Sequence, residues 1–339
     1  MNARGTTIEV ETVEISDPSC LRVAPVVSVL MLVYNHGEYL AQAIESVLAQ
    51  QAVCPVELLI GEDCSADNSR DIAIDYQRRH PESIRVITAG RNVGAHWNYT
   101  RLLNAARGEF IAHLDGDDYW LPGKLARQVA LLRDQPHAVA TYCNALVSYP
   151  DGATVARFND IGDERIELAK LLRRGNFLCM STMMFRSTQA PTLRGIGREF
   201  LDYQVHLTHA QNGDLLHIGE PLAVYRMQSS GSMVAKDNAR VREMYWQAIQ
   251  SIPRERVSDD DFANGLADFL RRVFFRAVRT GNWRLVREWT VRVLAASPYG
   301  TFRTGTLLAK SIARIAGKEA IGRLSPLWDR HAMRVLYRC

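Results

Sequence analysis

Three aspartates crowd the segment LDGDDYW at residues 114–120: Asp115, Asp117 and Asp118. Carboxylates this close repel one another, and partial burial would push one or more of their pKa values up. A divalent cation lets them stay ionised and makes their spacing useful. Hard oxygen ligands select magnesium or manganese, an ion that keeps water and phosphate ligands, so one or two carboxylates suffice when a substrate brings a diphosphate. The plainer alternative is an acidic turn, because Asp and Gly are common turn residues. A second acidic loop, EDCSAD at residues 62–67, offers carboxylates to the imide hydrogen of a uracil ring or to a ribose hydroxyl. Asp63 is favoured there for base recognition, Glu62 is equally a solvated loop acid, and Asp67 is equally a helix cap. Tyr34 either stacks on the base or closes a core strand.

The surrounding elements must bring these loops together. VVSVLMLVY, residues 26–34, is a continuous apolar and β-branched run that stops at Asn35, His36 and Gly37, as a strand buried on both faces of a parallel sheet does. Residues 39–50 then place Leu40, Ala43, Ile44, Val47 and Leu48 on one side at helical spacing. The pattern repeats, predicting strands at 56–60, 83–88, 110–114 and 139–144. Helices are predicted from Asp67 to about 79, over 95–106 and from Pro122 to about 133. Strands alternating with helices mean right-handed βαβ units and a doubly wound sheet, a Rossmann-like α/β fold covered by helices on both faces. Ligands of such sheets gather at the carboxyl ends of the strands. YNHGE (residues 34–38), EDCSAD and DGDD all fall there.

The chain of 339 residues, 47% hydrophobic and 23% charged, is long enough to bury a sizeable core. A net charge of +4 gives no case for nucleic acid. Six cysteines without a CxxC pair argue against a zinc site and a disulfide framework, and fit reduced thiols in a cytoplasm. The polar amino terminus lacks the apolar stretch of a signal peptide and no run approaches a spanning helix, so the chain is expected to be soluble or peripheral. The absence of GxGxxG, Walker A and GxSxG patterns removes support for a dehydrogenase, a P-loop enzyme and a serine hydrolase.

Four segments in order resemble the family 2 glycosyltransferases, inverting enzymes of the GT-A fold. They are VSVLMLVYN (27–35), LLIGEDCSADNS (58–69), NVGAHWNYTRLLNAARGEFIAHLDGDDYWLPGKLARQ (92–128) and FLDYQVHLTHAQNGDLLHIGEPLAVYR (200–226). The resemblance implies that Tyr34, Glu38, Glu62 and Asp63 line the nucleotide pocket, and that Asp115 with Asp117 form the DxD that holds a Mn2+ or Mg2+ ion and the donor diphosphate. It implies further that Asp202, at the start of a helix on the acceptor side, is the general base; Glu199 is its nearest rival. Arg91 and Lys124 are each either donor-side cations or surface residues. Val33, Glu62, Cys64 and Gln228 depart from the family's commoner residues, and Gln228 stands where many relatives carry a histidine, leaving a third metal ligand open among His96, His113, His206, His209 and His217.

On this reading residues 1–24 are an N-terminal extension, disordered or laid on the surface. Residues 25–235 are the GT-A domain, with a nucleotide-sugar half (25–122) and an acceptor half (123–235). Residues 236–339 are a helical C-terminal region. The expected partners are a nucleotide diphosphate sugar, with UDP the expected carrier, and a saccharide or lipid-linked saccharide acceptor for cell-surface polysaccharide or glycolipid synthesis. The arginine-rich C-terminal helices, with Phe269, Val273, Phe274, Val278, Trp283, Val286, Trp289 and Val293, either cap the domain or meet an anionic membrane surface on the cytoplasmic side. Two rival readings are a sugar nucleotidyltransferase, which normally needs a glycine-rich loop that residues 35–38 do not supply, and a non-catalytic nucleotide-sugar-binding scaffold.

Overall fold

The computed structural model describes residues 12–16, 18–20, 24–51, 54–149, 154–197, 199–227, 238–328 and 334–337. Chain order begins with a short strand β1 (Thr12–Glu14), then β2 (Val27–Val33), α1 (Leu40–Leu48), β3 (Val56–Glu62), α2 (Ser69–Arg79), β4 (Ile84–Ala89), α3 (Ala95–Ala105) and β5 (Phe110–Asp115). Strands β4, β3, β2 and β5 lie side by side and parallel. All three acidic or polar loops therefore leave the same edge of the sheet. Alternation along β2 divides the core: Val27, Val29, Met31 and Val33 enter the cluster under α1 and α2, while Leu30 enters the one under α3. A strand that must satisfy both faces carries almost no polar side chain, which is why β2 reads as unbroken apolar sequence.

The second half is mixed. It comprises β6 (Tyr119–Trp120), α4 (Lys124–Asp134), β7 (Ala138–Ser148), β8 (Thr154–Asn159), β9 (Glu164–Ile166), α5 (Leu168–Arg174), β10 (Met184–Arg186), α6 (Ala190–Arg194), α7 (Asp202–Asn212) and β11 (Asp214–Arg226). Antiparallel β10 bridges β5 and β7, and β11 runs parallel to β7. Helices α8 (Asn238–Gln250), α9 (Asp259–Thr280), α10 (Arg284–Ala296) and α11 (Thr301–Trp328) follow, then strand β12 (Arg334–Tyr337).

Two terminal segments differ from expectation. Residues 12–14, expected to be disordered or laid on the surface, add a regular antiparallel strand to the β4 edge. The cause is Arg85, a buried guanidinium of β4 that takes Glu14 Oε1 at 2.7 Å and Glu57 Oε2 at 3.3 Å, since a buried cation needs a counter-charge. Near the other end, Arg334–Tyr337 is a strand parallel to β8, not helix; the Tyr337 ring packs on Phe158 with centroids 4.9 Å apart. The C-terminal helices bury Trp246, Phe269, Val273, Trp289 and Val293 in the same cluster as Leu30 and Tyr203.

Candidate active site

The β2–α1 and β3–α2 loops are laced together. The Asn35 amide donates to Ser65 Oγ at 3.0 Å, the His36 amide to Ser69 Oγ at 2.9 Å and the Gly37 amide to Asp67 Oδ2 at 2.9 Å; the Ala66 amide returns to Asn35 Oδ1 at 2.8 Å. Asn35 adopts φ 57°, which an asparagine tolerates. A Cβ on Gly37 would lie 1.9 Å from Asn68 Oδ1 and 3.0 Å from Asp67 Oδ2, so a larger residue there would push these side chains aside. Tyr34 and Glu38 are exposed on this loop, Tyr34 at 41%, so Tyr34 is not a core residue and its ring is open to a planar partner.

Glu62 faces inward. Its Oε1 accepts from the Ser65 amide at 2.6 Å and its Oε2 from Thr88 Oγ1 at 3.0 Å, with no exposed surface. The expectation that Glu62 lines the nucleotide pocket is thus corrected: both oxygens brace the loop that presents its neighbour. Asp63 is also buried and accepts from the Val93 and Gly94 amides, each at 2.9 Å, at the start of α3. It ties the EDCSAD loop to the turn that bears exposed Arg91. Lys124 is fully buried. Its Nζ donates to Gln128 Oε1 at 2.7 Å and sits 3.9 Å from the Trp120 ring centroid, and burial lowers its pKa to about 8. This removes it from the donor side.

The DGDD loop separates its acids by environment. Asp118 is buried, accepting from Ser181 Oγ at 2.6 Å and from the Arg226 amide at 2.8 Å; burial, then the charges of Asp117 and Asp115, hold its pKa well above the usual carboxylate range. Asp115 remains 37% exposed, with His113 Nε2 at 3.0 Å from Oδ1 and Ser181 Oγ at 3.3 Å from Oδ2. Burial works against its ionisation, but the His113 ring, His36 and Ser181 outweigh it and leave the pKa low. Asp117 lies 3.9 Å from His36 Nε2, and Arg226 donates to the Asp117 carbonyl while its guanidinium lies over the Tyr39 and Tyr119 rings, 4.8 Å from each. The Asp115 and Asp117 carboxylates are hard-oxygen donors that suit a divalent ion whose remaining positions are filled by water and diphosphate. Among the described residues no three His, Cys, Asp or Glu side chains form a complete metal cage, and Gln228 lies outside those residues. His206 and His209 are buried in the core, His206 bonded to the Tyr142 hydroxyl and His209 packed on the Phe185 ring, which makes them poor ligand candidates.

Asp202 opens α7. Asn176 Nδ2 donates to its Oδ2 at 2.9 Å and the Tyr203 amide to its Oδ1 at 2.7 Å. Burial raises its pKa despite these bonds, and the charge of Asp115 raises it further. The rival Glu199 is instead tied to Arg240. Sequence reasoning missed Arg226, Asn176 and Ser181, and held His113 only as a ligand. A signal existed for His113, since residues 113 and 115 of one strand point to the same face. A cavity of about 470 Å3 lined by Arg127, Leu131, Glu164 and His217 touches none of these residues.

A mostly parallel sheet covered by helices, with its acidic loops at the carboxyl ends of β3 and β5 and a helical C-terminal region, has the architecture of a GT-A fold. Residues 28–190, a little under half of the chain, match the sequence profile described as Glycosyl transferase family 2. An uncharacterised Mycobacterium tuberculosis protein is 33% identical over 207 residues, 60% of this chain and 59% of the relative, so the chain spans about three fifths of that relative's length. The Escherichia coli UDP-Glc:alpha-D-GlcNAc-diphosphoundecaprenol beta-1,3-glucosyltransferase WfgD is 24% identical over 66% of this chain and 85% of its own. The crystal structure of S. aureus TarS 1–349 with UDP-GlcNAc superposes with a TM-score of 0.62 at 17% identity over 83% of each chain, which establishes the fold.

Proposed function

We propose that this chain is an inverting, divalent-metal-dependent glycosyltransferase. It moves a sugar from a UDP-linked donor to a hydroxyl of a saccharide or lipid-linked saccharide, in the synthesis of cell-surface polysaccharide or glycolipid. The observation that carries this reading is the division of the acids: Asp115, of lowered pKa, with Asp117 beside His36 at the β5 end, and Asp202, of raised pKa, at the head of α7. Two different charges have to be managed in such a transfer. An ion on Asp115 and Asp117 would neutralise the leaving diphosphate, an effect of several kcal/mol on the order of other metal-assisted reactions. Asp202 takes the proton of the attacking hydroxyl from the opposite face, worth typically ~10²–10⁴-fold for a positioned base. Tyr34 offers a face to the nucleobase from the loop that also carries Glu38. Asp63, whose two oxygens hold the Val93 and Gly94 amides, is corrected from a base-binding residue to one that fixes the turn behind Arg91. Arg91 and Arg226 add positive charge to the donor side.

WfgD, named for a UDP-glucose donor and a diphosphoundecaprenol-linked acceptor, supports both substrate classes. A lipid-linked acceptor agrees with a site of action at the cytoplasmic face of a membrane; among the described residues no helix is long and apolar enough to cross one. The test is a panel of nucleotide sugars with and without Mn2+, read as thermal stabilisation and released nucleoside diphosphate. The wild type should be stabilised by a UDP-sugar only with the metal and should release UDP. Asp117→Ala should lose both responses. Pyrophosphate as the product would make the chain a nucleotidyltransferase, and no donor response at all would make it a scaffold.

A further inference from the structure

The carboxylate that opens α7 is gripped from the C-terminal helices. Asn176, whose Nδ2 holds Asp202 Oδ2, is itself fixed through its backbone: its amide donates to the Tyr245 hydroxyl of α8 at 2.7 Å. The Tyr245 ring stacks on Tyr203, the residue after Asp202, with centroids 4.3 Å apart and planes 22° from parallel. From α9, Arg272 donates to Asp268 Oδ2 at 2.8 Å and to the Arg174 carbonyl at 3.1 Å. These groups close on Gly175, whose φ is +70°. A Cβ there would stand 2.5 Å from Arg272 Nη2 and Asp268 Oδ2, and 2.6 Å from Tyr245 Oη. Only glycine fits, and the turn Gly175–Asn176 is thereby clamped between α5 and two helices that lie beyond the family-matched residues.

We propose that Asn176 is the positioning residue of the base, aimed by the Tyr245, Asp268 and Arg272 clamp, so that the C-terminal helices are part of the catalytic apparatus. This rests on the reading of Asp202 as the base. With one N–H on each oxygen, the carboxylate plane is fixed and its outer lone pairs are left for a hydroxyl. Displacement of a reacting group by about 1 Å can cost on the order of 10²-fold in rate. Beyond burial and the two N–H bonds, Asp115 raises the pKa of Asp202 and His113 lowers it, and Asp202 in turn raises those of Tyr142 and Tyr337. Asn176 is one of two donors that favour its ionised form, so loss of the amide moves the titration of the base to higher pH.

The experiment compares Asn176→Ala, Tyr245→Phe and Asp202→Asn in the full chain with a UDP-sugar, Mn2+ and water as acceptor, reading UDP release against pH. In parallel, the carboxyl 13C shift of Asp202, assigned by its loss in Asp202→Asn, is titrated in each variant. Asn176→Ala should lower kcat roughly 10- to 100-fold, leave donor KM and Mn2+-dependent donor stabilisation unchanged, and move the acid limb and the 13C titration to higher pH. Tyr245→Phe, which keeps the stacked ring, should move rate and limb the same way by less. A lowered melting temperature with both titrations unmoved overturns the proposal and leaves Asn176 a structural residue. Wild-type turnover by Asp202→Asn overturns the base itself, and the proposal with it; collapse of Asp202→Asn beside normal titrations in Asn176→Ala overturns the proposal alone.

Discussion

A base that is to accept a proton from a sugar hydroxyl has to sit where its ionised form is not too comfortable, and that condition has a cost in stability. Burial raises the pKa of Asp202 above its ordinary value although two N–H groups oppose it. A folded-state value above the unfolded one means that the ionised group weakens the fold; the penalty is complete above the folded value and vanishes as pH falls below the unfolded one. Asp202→Asn should therefore melt higher than wild type at neutral pH, with the gap closing on acidification, while transfer falls about 100-fold or more. Calorimetry beside a transfer assay checks both, and unchanged transfer would sink the assignment. Glu62 argues the reverse case. Both its oxygens are satisfied inside the protein, so Glu62→Gln should cost about 1–3 kcal/mol in denaturant unfolding and leave donor KM within error. A selective rise in donor KM would return Glu62 to the pocket. At this scale the sequence shows which residues are acids and which loops carry them, because spacing and strand ends are written in it. It does not show direction: Glu62 and Asp63 are adjacent in one loop, and Lys124 looks like a surface cation until Trp120 and Gln128 close over it.

Helix α7 shows what a buried element asks of its residues. It begins with Asp202 and carries His206 and His209 into the core, where burial holds both near 3, so both are neutral in the folded chain at pH 7. His206 shares a 2.8 Å hydrogen bond with the Tyr142 hydroxyl. Neither ring nitrogen of His209 has a hydrogen-bond partner among the described residues, and its ring lies 4.7 Å from that of Phe185. In the unfolded chain a histidine takes a proton near pH ~6.5. A depressed folded value means stability that is whole above that pH and is lost progressively as pH falls toward the folded value. His209→Leu should remove one such load: its melting temperature relative to wild type should be higher at pH 5 than at pH 7.5, measured by scanning calorimetry. An unchanged difference at the two values would show that His209 does not couple to acid unfolding. Buried strands such as β2 were legible from period and composition, but β1 and β12 were not. Each is a short edge strand held by a partner far away in sequence, Arg85 for the first and the open side of β8 for the second.

Across the whole molecule, the C-terminal helices answer to two demands at once. Their inner faces belong to the main core, with Trp246, Phe269 and Trp289 packed ring to ring at 5.0–5.7 Å, so a chain ending at residue 235 should be recovered unfolded or aggregated. The sequence allowed either a packed cap or a membrane-facing region, because apolar and cationic residues alternate on every turn and only the packing partner decides which face is inside. The structure leaves a set of large apolar residues outside: Phe302 is 90% exposed, Val291 65%, Trp283 56% and Val278 51%. Exposed arginines 279, 284 and 287 belong to the same helices and their junction. Apolar groups beside cations are what an interfacial helix presents to anionic lipid, where a basic residue contributes ~1 kcal/mol near the surface and a buried side chain roughly 1.5–3 kcal/mol. The full chain should therefore sediment with vesicles rich in phosphatidylglycerol and not with pure phosphatidylcholine. The bound fraction should fall as salt is raised from low to ~0.5 M, where charge attraction is screened. Trp283→Ser with Phe302→Ser should weaken binding about 10-fold or more while leaving Mn2+-dependent stabilisation by the UDP-sugar as in wild type. Failure to bind anionic vesicles even at low salt would assign these residues to another partner, and equal binding to both lipids would remove the arginines from the argument.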